Sequence, residues 1–338
     1  MKNRRFLSAL LTMVMVLSMF AGIPFTASAE GGTTVTASDW SGLQDAVNKA
    51  SSGQVIKLGA DITCKKNGGD RIKVDGKTVT IDLNGHTLNR NRDKSHGDGH
   101  VIEVKGKSTL TITDSKGGGV ITGGYAKRGG GVNIASDSTC ILKGGTIRGN
   151  KAEWGGGVYA HGTFKMEGGA IADNNASGSG GGIHCGKEGT LNLTGGTISG
   201  NTSDDAGGIF NSGSESVTIK GVKIIQNTSK AGGGGVNNND GGSAELTDCE
   251  IRGNYAFGNG GGLWNQKDST LTLENCVIET NEAGEQGGGV FTKGELTVTG
   301  GVIRSNTANG NGGGIRVWSD TTTINSGILN CCFHISSS

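Results

Sequence analysis

Proline is almost missing from this chain: the single one, Pro24, lies within the first 29 residues. Aromatics are also few, with four Trp, three Tyr and eight Phe in 338 residues. Only one long apolar run exists, from Phe6 to about Ile23, so nothing after it is long and apolar enough to span a membrane as a helix. There is no CxxC pair, the usual signature of a zinc or redox site. Helical periodicity is absent from residues 118–325.

The lone apolar run reads as a targeting signal. Lys2, Arg4 and Arg5 precede it and Ala27-Ser28-Ala29 closes it as a small-x-small cleavage site, so 1–29 is expected to be a signal peptide and Glu30 the first mature residue. That predicts a secreted or cell-surface protein. No cysteine follows the cleavage site, which argues against a lipoprotein anchor. Taking the signal's three basic residues from the total of 31 leaves 28 against 30 acidic ones, a net charge of −2. Such a balance carries no footprint for nucleic acid or anionic lipid. The seven cysteines are an odd number, so at least one is free or pairs between chains.

What the chain has in excess is glycine, 66 residues. Such a level means disorder only when it lacks a period, and here a period is plain. Eight units recur at a spacing near 26 residues. Each opens on an element such as Gly144-Gly145-Thr146-Ile147-Arg148-Gly149-Asn150 or Gly195-Gly196-Thr197-Ile198-Ser199-Gly200-Asn201. A Gly-rich element follows that ends in Val132, Val158, Ile183, Ile209, Val236, Leu263, Val290 or Ile315, and a third short strand such as Leu271-Thr272-Leu273 closes the unit. One unit cannot bury a face alone; stacked units bury a continuous apolar column. The expected fold is therefore all-β, a right-handed parallel β-helix with three strands per coil.

Residues 30–117 read as a cap and irregular first coils. Trp40, Leu43, Ala46, Val47 and Ala50 share one helical face, Ser38 or Asp39 can cap its start and Gly53 follows its end. An amphipathic helix of this kind suits the first coil, since solenoids need their ends covered. Regular repeats fill 118–325. Residues 326–338 read as an incomplete coil or truncated end, which leaves room for end-to-end association there or for a missing C-terminal module.

The strings Ile147-Arg148-Gly149-Asn150 and Gly156-Gly157-Val158 resemble the repeated GGA(I/L/V) and FxxN elements of chlamydial polymorphic outer-membrane proteins, with Ile in place of Phe. The entry segment, Leu43-Gln44-Asp45-Ala46-Val47 through Ile81-Asp82-Leu83-Asn84-Gly85-His86-Thr87-Leu88, is similar to the start of many β-helix proteins of the pectin-lyase-like superfamily. The resemblance implies an exported, adhesive or glycan-facing protein. It departs from a transporter-anchored adhesin in lacking an outer-membrane barrel.

The position after the apolar residue of each Gly-rich strand should point outward. It reads Asn133, Tyr159, His184, Phe210, Asn237, Trp264, Phe291, Arg316. Tyr159, His184, Phe210, Trp264 and Phe291 are the candidate ligand-binding residues, offering flat faces to a polysaccharide or surface glycan; stacked rings can equally just stabilise the coil. One position on, Asn211, Asn238 and Asn265 fall in register and suit a hydrogen-bonded ladder. Cys249 and Cys276 share a register in adjacent coils. Candidate catalytic carboxylates are Glu153, Asp204 and Asp205, placed in the loops after the repeat Asn. Glu153 and Asp204 lie two coils apart, about 9.6 Å, at the outer edge of the separation used by inverting glycosidases. His96, Asp98 and His100 are compatible with a metal site, but a solvated loop is the simpler account, and neither metal nor cofactor is expected. Three functions stay open: a non-catalytic carbohydrate or surface binder, a lyase or glycoside hydrolase, and a structural stalk.

Overall fold

The computed structural model describes residues 34–335 other than 69, 215, 320, 331 and 332; the signal-peptide reading of 1–29 lies outside the described residues. The chain winds into three parallel sheets of 21, 11 and 8 strands. One coil shows how. Thr139–Leu142 and Thr146–Arg148 both lie in the 21-stranded sheet, Lys151–Trp154 in the 8-stranded sheet and Val158–Ala160 in the 11-stranded sheet. Three faces per coil are thus built from four short strands. The fourth, Lys151–Trp154, occupies what the sequence reading took for a variable loop. The reason is legible afterwards: alternate positions Ala126, Ala152, Ala176, Ser203, Ser229, Ala256 and Ala283 are all buried, so the period-2 signal of this sheet is carried by residues too small to register as apolar.

The core is one column. Ile121, Ile147, Ile171, Ile198, Ile224, Ile251, Ile278 and Ile303 pair in register from coil to coil, each at most 3% exposed. Val132 to Ile315 do the same in the 11-stranded sheet. Cys140 sits between Leu110 and Phe164 in a third such row.

At each corner after the Ile strand an Asn turns inward. The side-chain oxygen of Asn227 accepts from the backbone N–H and the amide of Asn201, both at 3.0 Å. The Asn227 amide donates in turn to Asn254 Oδ1 (3.0 Å) and the Ile198 carbonyl (3.0 Å). The same pattern runs from Asn150 to Asn306, so the series is a buried amide ladder and not merely a turn preference. A second ladder joins Asn211, Asn238 and Asn265 (2.8 and 2.9 Å) and ends on Thr292 Oγ1.

The glycines of the Gly-rich element have distinct jobs. Gly155 has φ +66°, and a Cβ there would lie 2.2 Å from the Val158 carbonyl, so it makes the hairpin-like corner into the next strand. At Gly156 and Gly157 a Cβ would meet the Gly181 and Gly182 carbonyls at 2.5 and 2.7 Å; these two are small because the neighbouring coil's backbone lies on top of them.

A helix, α1 (Trp40–Lys49), covers the first coils, with Asp39 as its N-cap accepting from the Gly42 N–H and with Leu43 and Val47 buried. At the other end the winding continues past the regular repeats: Thr322–Asn330 extends the 21-stranded sheet and Phe333–Ile335 the 11-stranded one. Cys64, Cys140, Cys185, Cys249 and Cys276 are buried free thiols. The Cys249 and Cys276 sulfurs reach the Ile219 and Leu246 carbonyls at 3.4 and 3.3 Å, which is how buried thiols behave when they serve as small apolar residues.

Candidate functional site

The outward stripe exists in register, but it does not face water. Tyr159, His184 and Phe210 pair across adjacent strands, and their rings stack at 5.0 and 5.1 Å between centroids. Yet Tyr159 is 8% exposed, His184 and Phe210 7%, and Phe291 1%. The expectation of an exposed aromatic platform is corrected here. The cause is the fourth strand: its last residue folds back over the outer face of the 11-stranded sheet before the glycine corner. Ser179 Oγ bonds His184 Nδ1 at 2.9 Å, the Arg128 guanidinium lies 5.2 Å from the Tyr159 ring centre, and the backbone at Gly232 lies against the Trp264 ring. Burial pushes His184 down to about 4, with the Ser179 contact opposing and Arg128 adding to the shift.

Of the five ring positions, only Trp264 stays half-buried. It lines a cavity of about 250 Å³ with Lys230, Phe257, Asn259 and Glu285. A second cavity of about 340 Å³, lined by Asn175, Thr202, Asp204, Thr228, Lys230 and Phe257, shares two of those residues. Together they form one groove along the outer face of the 8-stranded sheet. Register explains the lining. Tyr125, Lys151, Asn175, Thr202, Thr228, Tyr255 and Glu282 form one outward row up the axis.

Phe257, 57% exposed, stands over the groove and meets Tyr255 edge-on at 4.9 Å. Sequence reasoning missed both, because it assigned this stretch to loops. The available signal was the alternation of small inward and large or polar outward residues after each ladder Asn.

The three carboxylates separate. Glu153 and Asp204 are on strands Lys151–Trp154 and Thr202–Asp205 rather than in loops, both exposed on the outer face. Ser177 lies on the strand between theirs, Asn175–Ser179. Asp204 is ion-paired with Lys230 at 2.7 Å. Asp205 points the other way, into the covered layer, where it accepts from the Asn237 amide at 2.7 Å; burial pushes its carboxyl above the usual range, with that hydrogen bond opposing. It is not part of the groove.

A third cavity, about 360 Å³, lies near the first coils and is lined by Asn67, Asp70, Arg90, Arg92, His96 and Asp98. Here His96, Asp98 and His100 lie in different surroundings: His96 and Asp98 are exposed, His100 is 2% exposed, and Asp98 pairs with Arg71 at 3.0 Å. Among the described residues no three His, Cys, Asp or Glu side chains converge as a metal set. No described helix is long and apolar enough to cross a membrane.

Coils in register, three parallel sheets and stacked amide ladders define a right-handed parallel β-helix. Residues 171–333 match the family model described as a right handed beta helix region. No curated protein and no solved structure matches the chain.

Proposed function

We propose that this protein is a surface β-helix that binds carbohydrate without cleaving it, through the groove on the 8-stranded sheet. The observation that carries this is the pair of adjoining cavities that share Lys230 and exposed Phe257, with Trp264 in the wall. A flat apolar ring beside hydroxyl, amide and charged groups is the lining that a sugar ring needs: apolar faces for its C–H surface and polar groups for its hydroxyls.

Export to the cell surface is part of the proposal and is supported by the signal-like residues 1–29. The similarity of the repeats to those of chlamydial surface adhesins, and of the entry segment to pectin-lyase-like helices, supports the same reading. Catalysis is not proposed, since Asp204 is tied to Lys230 and Asp205 faces inward.

The test is retention of the purified chain on immobilised polysaccharides, with the supernatant assayed for new sugar ends. Retention lost in Phe257→Ala and weakened in Trp264→Ala, with no sugar ends released, supports the proposal. Release of sugar ends by the parent, abolished in Asp204→Asn or Glu153→Gln, overturns it in favour of an enzyme.

A further inference from the structure

The layer over the aromatic stripe is fastened at its middle by one short segment. Strand Asn175–Ser179 ends on Ser179, whose hydroxyl meets His184 Nδ1 at 2.9 Å and whose carbonyl accepts from the Gly155 N–H at 3.0 Å. This segment carries one residue more than the strands on either side of it. Ala176 and Ser179, three apart, face Ala152 and Trp154 in one neighbour and Ser203 and Asp205 in the other, two apart in each. Such an extra residue is a bulge, and it interrupts the ladder locally. Ser179 also stands between Gly178 and Gly180. The tip is thus tied down by its contact with His184 more than by strand pairing. Beneath it the column is tight: Val158, Ile183 and Ile209 are fully buried, and the Ile183 N–H donates to the Gly208 carbonyl at 2.9 Å.

His184 is 7% exposed and lies between the Tyr159 and Phe210 rings. The groups around it decide what a proton there would do. From strand Tyr125–Arg128 comes the Arg128 guanidinium, 5.2 Å from the Tyr159 ring centre and the charge that acts on His184. No strand packed against it supplies a counter-ion. Glu153 is exposed on the outer face of Lys151–Trp154, and Asp205, at the tip of the next coil, is turned to the Asn237 amide at 2.7 Å. Cys185, on its own strand, is buried in the apolar column. An imidazolium under this cover is a charge out of water with a second cation beside it. The ring faces on either side recover only part of that cost. Water recovers the rest, and water reaches His184 once the Ser179 tip lifts.

We propose that Ser179 and His184 form an acid-operated clasp: protonation of His184 releases the Gly178–Gly180 tip and uncovers the Tyr159–His184–Phe210 stack, while the column beneath stays wound. The clasp does not depend on the groove and goes beyond the binding reading, since it gives the protein a second aromatic face that neutral pH keeps shut. Asp205 limits the opening to one tip. Burial raises its carboxyl, so its covered form takes up a proton the more readily, and acid steadies that tip where it loosens the Ser179 one.

The test is native-state hydrogen exchange on the intact chain, read as protection factors at pH 7.5 and pH 5, with and without sub-denaturing urea. The Gly155 amide reports the tip and the Ile183 amide the coil. The expected result is that Gly155 exchanges faster than Ile183 and ignores low urea, as a local opening does. Its protection should fall about 30-fold from pH 7.5 to pH 5, the ratio set by a histidine that titrates at its ordinary value when uncovered and well below it when covered. His184→Phe, which keeps a ring in the stack, should abolish that fall. Ser179→Ala should lower Gly155 protection roughly fivefold already at pH 7.5.

A Gly155 amide with the urea dependence of Ile183 at both pH values overturns the clasp, because the tip then opens only with the coil. A fall that persists in His184→Phe overturns the role given to His184. Ser179→Ala removes a single hydroxyl, so parent-like Gly155 protection in that variant overturns the clasp even where His184→Phe fails to fold.

Discussion

The side-chain amide of Gln44 pairs with the backbone of Lys73 as a strand would: the Lys73 N–H donates to Gln44 Oε1 at 2.7 Å and Gln44 Nε2 donates to the Lys73 carbonyl at 3.1 Å. Lys73 lies in Ile72–Asp75, the first strand of the 11-stranded sheet. Helix α1 therefore does two things at this end, covering the apolar column with Leu43 and Val47 and satisfying part of an open sheet edge with one glutamine.

Gln44→Ala should cost about 1–3 kcal/mol, the value of two partly buried hydrogen bonds whose backbone partners are left unpaired. An uncovered edge is also a template for pairing with another chain. Urea denaturation should show the loss, and size-exclusion chromatography should show association absent from the parent. A variant as stable and as monodisperse as the parent would mean that water replaces the amide without penalty.

Asn227 is a test of the ladder. Asn227→Ala removes the acceptor for two groups of Asn201 and the donor for Asn254 and Ile198. All of this is buried, so the expected destabilisation is roughly 3 kcal/mol or more. The half-buried neighbour Thr228→Ala, on the groove side, should change stability by less than about 0.5 kcal/mol. Comparable denaturation midpoints for the two variants would contradict the ladder's energetic role.

The two phenylalanines Phe210 and Phe257 should separate stability from binding. Phe210 stacks on His184 under a covering strand, and Phe210→Ala should destabilise by about 3 kcal/mol. Phe257→Ala should leave the melting temperature nearly unchanged and reduce glycan retention. The reverse pattern would return the ligand to the buried stripe.

Stability should fall in mild acid. His184 is lowered to about 4 by burial, and His100 to about 3 by burial with Arg71 beside it, from an ordinary 6.5. Both are neutral in the folded protein while the unfolded chain takes up a proton near pH 6.5, so the folded state loses stability as pH falls from about 6.5 toward 4, and for His100 toward 3. Across its window His184 is worth about 3 kcal/mol and His100 about 5. Melting temperatures from pH 7.5 to 4 should show the slope, and His184→Phe, which keeps a ring between Tyr159 and Phe210, should shrink it. An unchanged slope would place the titration elsewhere.

Thiol chemistry gives a further check. Burial raises Cys140 and Cys185 to about 12, and the reactive form is the thiolate. Native protein treated with a thiol reagent and mapped by mass spectrometry should show Cys140, Cys185, Cys249 and Cys276 unlabelled until denaturant is added. Labelling of any of the four in the native state would show that coils open locally.

Sequence pattern was a good guide to the column and a poor one to the surface. Ile147, Val158 and Leu142 announce themselves because each is large, apolar and repeated, and the winding needs them to stack. The fourth strand hid because its inward residues, such as Ala152 and Ser203, are small or polar. That strand decides the site: its end covers Tyr159, His184 and Phe210, which alternation alone turns outward, and its outer face displays Tyr255 and Phe257, which no large apolar repeat marks. Asp204 and Asp205 show the same limit at single-residue scale. They are adjacent in sequence and opposite in direction, and only knowing that they are on a strand tells which one reaches the groove.

The Asn ladder has translational symmetry: each member receives from one neighbour and gives to the next in the same way. A whole extra coil spliced between two existing ones would find the partner it needs on both sides, so the helix can be lengthened or shortened by complete units without leaving a bond unmade. Part of a coil cannot. Groove length is thus an inheritable variable that duplication can set in steps of about 4.8 Å, independent of the chemistry at either end.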